Sequence, residues 1–236
     1  MIRDAIFIIV VFLANVIQAI TGFAGTLLAM PASIHLIGVA DAKAVLNMLP
    51  VIGCIMIAVQ DFSYIRWKEL CKICAFMLAG MLAGAKLFEL LPLDMLLTAY
   101  GVMIVIIAAL RLFGVSFPKP GRVMQYVILL AAGLIHGMFV SGGALLVIYA
   151  TFAFSDKTEF RATLSAVWVV LNSILCIGHV MSGAFSRHAL ILLLVCVVPL
   201  LLSVRLGNRL HKRINQKTFE KITYVLLLIS GISAIV

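Results

Sequence analysis

Gln18-Ala-Ile-Thr-Gly-Phe-Ala-Gly-Thr-Leu-Leu-Ala-Met-Pro31 is the stretch on which the reading of this chain turns. It lies inside an apolar segment running from Ala5 to Ile37. Gly22 and Gly25 sit mid-segment beside Gln18, Thr21 and Thr26. Glycine loosens a helix by roughly 1 kcal/mol relative to alanine. At membrane depth, unwound backbone leaves N–H and C=O groups without partners unless protein, water or a ligand satisfies them. A glycine cluster flanked by small polar side chains therefore predicts a broken helix that lines a site. The competing reading is close packing of two helices, with Gly22 and Gly25 as small interface residues.

The stretch occurs twice. Shifted by 118 positions, half of its 236 residues, the chain falls on itself. Gly25-Thr-Leu-Leu-Ala-Met meets Gly143-Ala-Leu-Leu-Val-Ile, Gln18 meets His136, Asp41 meets Glu159, Lys43 meets Arg161 and Leu46 meets Leu164. With the shift slipping by one, Lys86 meets Arg205. Apolar residues coincide by chance in so hydrophobic a chain; charged residues, at 11% of it, seldom do. The pattern predicts an internal duplication, with residues 1–117 and 118–236 as two repeats of a single membrane domain.

Composition sets the class. A chain 64% hydrophobic and 11% charged, with mean hydropathy +1.23, reads as an all-α integral membrane protein. Met1-Ile-Arg-Asp leads straight into the apolar run, without the charged n-region and cleavage site of a signal peptide. Cys71 and Cys74 have CxxC spacing but no second pair beside them. With Cys54, Cys176 and Cys196 they read as membrane-buried thiols, so no metal or cofactor is expected. The net charge of +9 lies between apolar segments, where it sets topology and does not point to nucleic acid.

Eight apolar segments follow: Ala5–Ile37, Ala44–Val59, Ile73–Leu91, Leu93–Phe113, Val123–Phe154, Ala162–Met181, Ala189–Leu206 and Thr223–Val236. Pro118-Lys-Pro-Gly121 is the linker between the repeats. The first and fifth segments exceed the roughly 20 residues a crossing needs, and both carry glycine breaks. Each can cross once as a broken, tilted helix, or turn at its glycines and leave on the side it entered. If all eight cross, the 18 lysines and arginines split 8 to 10. If the first and fifth are re-entrant, only Arg3, Lys43, Lys86 and Arg187 stay on one side and the other 14 of the 18 face the cytoplasm. The charge rule favours the second topology. It gives three crossings per repeat, and an odd number makes the two repeats inverted relative to each other.

Gly22-Phe-Ala-Gly25-x-x-Leu-x-x-Pro31, with a second copy at Gly133-x-x-x-Gly137-x-x-x-Ser141-Gly142-Gly143, resembles the TauE/SafE family of sulfite and organosulfur-anion permeases. The resemblance covers essentially the whole chain. The second copy departs from the family pattern, with Ser141 and Tyr149 where further glycine and a closing proline are usual. The resemblance implies a multi-pass permease of the bacterial inner membrane for a small anion such as sulfite, a sulfonate or a related carboxylate. Its partners would be that anion and the lipid bilayer, with a homo-oligomer left open.

The residues point to an anion independently of the family. Half-helices that start at glycine breaks present free N–H groups and a positive dipole end. Those after Gly22–Gly25 and Ser141–Gly143 are expected to face each other across the repeat interface. Thr21, Thr26 and Ser141 can add hydroxyl donors, and Gln18 and His136 sit in the same motifs. Lys43 and Arg161 open the second helix of each repeat, where a cation opposes the dipole and wants an anionic partner. That partner is a passing anion, or else Asp41 or Glu159. Arg161 suits a two-oxygen anion better than Lys43 does. The candidate substrate contacts are therefore Gln18, Thr21, Gly22, Gly25, Thr26, Lys43, His136, Ser141, Gly142, Gly143 and Arg161. His136, Asp41 and Glu159 are candidates for carrying a coupling proton; the alternatives are a helix-to-helix hydrogen bond for His136 and helix capping for the two acids. Lys86 and Arg205 read as interfacial, and Asn47 and Asn172 either line the path or join helices.

Two other classes were weighed. An intramembrane enzyme would show paired aspartates, HExxH or a cysteine–histidine cluster, and the sequence has none. Ser141 with His136 lacks an orienting third group. A non-transporting membrane subunit would not need duplicated polar glycine motifs.

Overall fold

The computed structural model describes residues 2–90, 98, 101–102, 105–106, 108–110, 112–113, 115, 120–140, 142–183 and 185–235. The predicted segment Leu93–Phe113, the start of the 118–121 linker and Ser141 lie largely or wholly outside the described residues. The elements in chain order are α1 (Ile2–Thr21), α2 (Ala24–Ile37), α3 (Val39–Gln60), a 3-10 turn (Phe62–Tyr64) and α4 (Trp67–Leu90). After the undescribed stretch come α5 (Arg122–Phe139), α6 (Gly143–Ala153), α7 (Lys157–Met181), α8 (Arg187–Arg213) and α9 (Gln216–Ile235). Among the described residues there is no strand.

The two overlong segments resolve into unequal parts. α1 and α5 are long and apolar enough to cross a membrane, as are α3, α4, α7 and α8. At about 1.5 Å per residue, a helix of about 20 residues covers a hydrocarbon core of about 30 Å. α2 has 14 residues and α6 has 11, so each reaches only part of the way. Each overlong segment is thus one full-length helix followed by one short helix, and the break lies near the far end of the long one.

Polar side chains start the long helices where the chain turns. Asp156 accepts from Thr158 N and Glu159 N at the head of α7, and Ser186 accepts from Ala189 N at the head of α8. Along α8, Leu194, Val198 and Leu202 are exposed while Leu192, Cys196 and Leu200 are buried. Both faces are apolar, which is how a helix reads between lipid and a protein core.

The packing interlocks the two halves of the chain. α1 lies along α8, and α5 lies along α4. Both pairs run parallel: Asp4 meets His188 and Ile20 meets His211 in one, while Met77 meets Gly133 and Met81 meets Gly137 in the other. The α4–α5 crossing is made by glycines. A Cβ on Gly133 or Gly137 would lie 2.1 or 2.2 Å from the carbonyl oxygens of Met77 or Met81. On the facing helix, Cβ atoms on Gly80 and Gly84 would lie 2.1 and 2.0 Å from those of Leu130 and Leu134. These glycines serve backbone-to-backbone packing, which separates Gly133 and Gly137 from the rest of the second motif.

α3 and α7 form the centre and run antiparallel, with Asn47 beside Asn172 and Asp61 beside Arg161. Two ends of the bundle are therefore distinguishable. At one, His188 is 3.1 Å from Asp4 and 2.9 Å from Asp41, so the starts of α1, α3 and α8 meet. At the other lie Asp61, Arg161, His211 and the Arg66–Glu159 pair. The start of α5 and the end of α6 also meet there, where Arg122, Gln125, Tyr149 and Phe152 line one hollow with Glu69 and Lys72.

Candidate functional site

Both helix breaks turn on a left-handed residue, and the two residues coincide at the 118-position shift. Gly22 has φ +84° and Val140 has φ +54°. Glycine takes this conformation freely; for valine it costs roughly 1–2 kcal/mol, held in place by the surrounding structure. The breaks meet: a Cβ on Gly143, at the start of α6, would lie 3.1 Å from Phe23 O, at the start of α2.

Between them is a small cavity lined by Gln18, Phe23, Thr26, Leu27, Pro50, Val140, Gly143, Trp168 and Asn172. It has room for about one water molecule. Pro50 and Trp168 are 118 positions apart, as are Gly22 and Val140, so the lining draws on matched positions of both halves.

The two breaks differ in how their free N–H groups are used. At the first, Thr21 Oγ1 accepts from Phe23 N and Ala24 N at 3.4 and 3.3 Å, and donates to Ile17 O at 2.9 Å. Gln18 Oε1 accepts from Gly25 N at 2.7 Å, while Gln18 Nε2 donates to Cys54 Sγ at 3.3 Å. Thr21 and Gln18 thus act as caps. Thr26 lines the cavity and donates weakly to Leu46 O at 3.4 Å. At the second break, Gly142 precedes α6 without a side-chain cap. A Cβ on Gly142 would clash with Ala132 O at 2.2 Å, so the glycine is required for the turn itself. Ser141 lies outside the described residues.

Buried polar atoms without well-formed hydrogen bonds gather round this cavity. Asn172 Oδ1, Asn47 Oδ1, Ser165 Oγ and both ring nitrogens of His136 are buried without a hydrogen bond of normal geometry, the His136 ring lying within looser reach of the Asn172 side chain and Ser165 of Cys54. Such groups are rare in folded proteins, and each one calls for an unseen water, ion or ligand. His136 lies tilted by 40° against Trp168, ring centroids 5.1 Å apart, and Trp168 Nε1 donates to Gly22 O at 2.8 Å. Asn47 Nδ2 donates to Asn172 O at 3.3 Å, joining α3 to α7 beside the cavity.

The charged candidates lie at the ends. Arg161 is 1% exposed and sits directly behind the first break, its Cγ 3.3 Å from where a Gly22 Cβ would be. Its carboxylate partner is Asp61: Nε and Nη2 donate to Asp61 Oδ2 at 3.1 and 2.6 Å, and Nη1 donates to Ala19 O at 2.9 Å. Removing one member of so buried a pair costs about 3–5 kcal/mol. Neither Asp41 nor Glu159 is that partner, and neither caps its helix. Asp41 accepts from Ser186 and meets His188, and Glu159 pairs with Arg66 at 3.2 Å. Lys43 is half-buried at the other end of α3, near His179. Lys86 is exposed on α4 and Arg205 on α8.

Sequence reasoning missed Asp61 and Trp168. Both carried a signal: at the 118-position shift Asp61 meets His179 and Trp168 meets Pro50. Neither match conserves residue type, so a search for like residues passes over them.

Among the described residues, a helical bundle with six membrane-length helices and a small buried cavity at two facing helix breaks defines a multi-pass membrane protein. The family model for the sulfite exporter TauE/SafE matches residues 7–234, nearly the whole chain, and the protein belongs to that transport family. No curated protein and no solved structure matches it.

Proposed function

We propose that this protein is a secondary transporter for a small oxyanion, sulfite, a sulfonate or a related organic anion, in the bacterial inner membrane, driven by an ion gradient. The observation that carries the reading is the glycine-started head of α6, whose cap residue Gly142 has no side chain, facing the first break across a buried cavity with the His136 ring, which can donate an N–H, close by. An anion supplies the missing acceptors at the uncapped start of α6, where the helix dipole is positive. The substrate contacts at the breaks are then Gln18, Thr21, Gly22, Gly25, Thr26, His136, Ser141, Gly142 and Gly143, while Lys43 and Arg161 stand at the two ends of the bundle, where the anion enters and leaves. Thr21 and Gln18 act by shaping the first break. The cavity holds about one water, so α2 and α6 must part to admit an oxyanion.

The topology belongs to the same proposal. The halves are inverted repeats, and the α1–α2 and α5–α6 hairpins enter from opposite faces. His188 joining Asp4 to Asp41 supports a first hairpin that returns to its own side. The shared hollow of Arg122 and Phe152 supports the same for the second, at the opposite end. The antiparallel α3 and α7, which match at the 118-position shift, are what inversion requires. Labelling of single cysteines should find Arg3 and Arg187 positions outside and Arg66, Arg122 and Arg213 positions inside; Arg122 labelled from outside would sink the inversion.

Thermal stabilisation across sulfite, thiosulfate, methanesulfonate and short carboxylates, followed by uptake into liposomes, tests the function. At least one oxyanion should both stabilise and be taken up. Stabilisation by none of them, with no uptake, would show that the breaks serve packing only.

A further inference from the structure

We propose that the cavity between the breaks selects singly charged oxyanions, and that it takes sulfite as hydrogen sulfite with the O–H turned to Asn172. The inference rests on the permease reading above and narrows its substrate by charge.

The walls of the cavity carry no fixed charge. Residues 5–40, 44–60, 123–155 and 162–186 contain no lysine, arginine, aspartate or glutamate. These stretches supply the lining from α1, α2, α3, α6 and α7, and His136 beside it from α5. The first cations stand at matched distances on either side. Lys43 precedes Pro50 on α3 by seven residues, and Arg161 precedes Trp168 on α7 by seven, about 10 Å of helix in each case. Arg161 is answered by Asp61 at 2.6 Å, so that pair adds no net charge.

Inside, only dipoles attract an anion. A helix start is worth at most roughly half an elementary charge. The starts of α2 and α6 together offer about one unit at most, and the ends of α1 and α5 at the same breaks subtract from it. One negative charge lies within that supply, and two do not. The cost of taking an ion out of water rises with the square of its charge. A dianion therefore forfeits about four times the hydration of a monoanion of like size, and it meets no more positive charge in return.

The polar lining adds a second condition. Asn172 is 2% exposed and lines the cavity, and its Oδ1 makes no hydrogen bond of normal geometry. Beside it, Asn47 spends Nδ2 on Asn172 O and Cys176 Sγ, and its Oδ1 is likewise buried without a well-formed bond. An amide oxygen repels a bare anionic oxygen and accepts from a hydroxyl. Sulfate and doubly charged sulfite present acceptors alone. Hydrogen sulfite presents one O–H with two bare oxygens. The O–H donates to Asn172 Oδ1, while the bare oxygens accept from the N–H groups at the start of α6 and from the His136 imidazole.

The titratable side chains near the cavity are His136 on α5, Cys54 on α3, held by Gln18 Nε2, and Cys176 on α7, held by Asn47 Nδ2. Beyond them stand Lys43 and Asp41 with His179 and His188 at one end, and Arg161 and Asp61 with His211 at the other.

The test gives the full chain, in detergent and in liposomes, sulfite, sulfate, methanesulfonate and formate from mildly acid to mildly alkaline pH, with protein-free liposomes as the blank. Over this range sulfate stays doubly charged, methanesulfonate and formate stay singly charged, and sulfite passes from one charge to two. Stabilisation and uptake by the fixed monoanions should stay level with pH, and sulfate should give neither. The apparent affinity for total sulfite should fall about tenfold per pH unit once the dianion dominates. Level monoanion curves separate a change in sulfite from a titration of His136, which would move both. Asn172→Leu should weaken sulfite binding at the acid end about tenfold and methanesulfonate binding far less. Four outcomes overturn the inference and leave the permease reading standing: sulfite affinity that holds or rises with pH, uptake of sulfate, exclusion of both fixed monoanions by a chain that takes sulfite, or monoanion curves that fall in step with sulfite. Equal losses for sulfite and methanesulfonate in Asn172→Leu overturn the assignment of the O–H. No stabilisation and no uptake with any of the four anions overturns both readings. The wild-type curves decide the charge rule even if Asn172→Leu folds poorly.

Discussion

The first helix break is closed by its own side chains; among the described residues the second is not. Gln18 and Thr21 satisfy the N–H groups of Phe23, Ala24 and Gly25. At the register-matched positions of the second break stand His136, which makes no bond to the backbone of the turn, and Phe139, which has no hydroxyl. The scaffolds agree down to the left-handed residue, Gly22 in one and Val140 in the other. A matched scaffold carries unmatched chemistry: the first break holds its shape with its own side chains, and the proposed anion would take that place at the second. The same contrast runs to the ends of α3 and α7, where Arg161 has Asp61 and the matched neighbour of Lys43 is His179.

The largest expected effect breaks the second turn. Gly142→Ala places a methyl 2.2 Å from the backbone oxygen of Ala132, which cannot yield cheaply. It should cost more than about 3 kcal/mol and appear as lost folded protein in size-exclusion profiles. Gly25→Ala meets Cβ and Oε1 of Gln18 at 2.8 and 3.0 Å, and the backbone oxygen of Ala14 less tightly, at 3.2 Å. That variant should fold, with a melting loss near 1 kcal/mol as the cap is displaced. Equal losses in the two would mean that the breaks are built alike after all.

Next in size is Gly143→Val, where Phe23 O lies 3.1 Å from the first added carbon. Anion-dependent stabilisation and transport should vanish while ligand-free melting falls by about 1–3 kcal/mol. Unchanged anion binding in a well-folded variant would move the site elsewhere.

A smaller and sharper test copies the first cap onto the second break. His136→Gln puts at 136 the residue that serves at 18. Its amide oxygen should bond Gly143 N, raise ligand-free stability by about 1 kcal/mol and compete with the anion. Melting curves with and without sulfite read both effects. Tighter sulfite binding would contradict the idea that the second break is kept open for ligand.

The smallest effect belongs to the exposed Arg66–Glu159 pair, whose side chains are 56% and 29% exposed. Glu159→Gln should shift the melting free energy by less than about 1 kcal/mol. A loss as large as that expected at the second break would mean that this exposed pair, too, holds the end of the bundle together.

Much of this was legible before any coordinates. The duplicated register, the two overlong segments and the places where they break follow from glycine spacing and from charged residues that recur at a fixed shift. Local sequence could not assign partners across the bundle. Arg161 is answered by Asp61, which lies 100 positions away, so nearby Glu159 looked as plausible as any other acid. The direction of the Thr21 hydroxyl was also hidden: it bonds its own helix and the next turn, as a threonine beside free N–H groups readily does. Gly133 and Gly137 looked like part of a site motif because packing glycines and break glycines share a letter; only the facing helix tells them apart.

The way the halves lean on each other limits how this protein can move. The first helix of each half lies along a long helix of the other, and in the α4–α5 pair the backbones touch through four glycines. Rocking one half as a rigid body would have to tear such a seam on both flanks at once. The short helices α2 and α6 touch each other at their heads, where Gly143 faces Phe23 O, and beyond the close turn at Gly142 they carry no run of facing glycines. The fold therefore suits a turnstile, with a fixed frame and two small opposed leaves, and little of the chain needs to travel for each anion that passes.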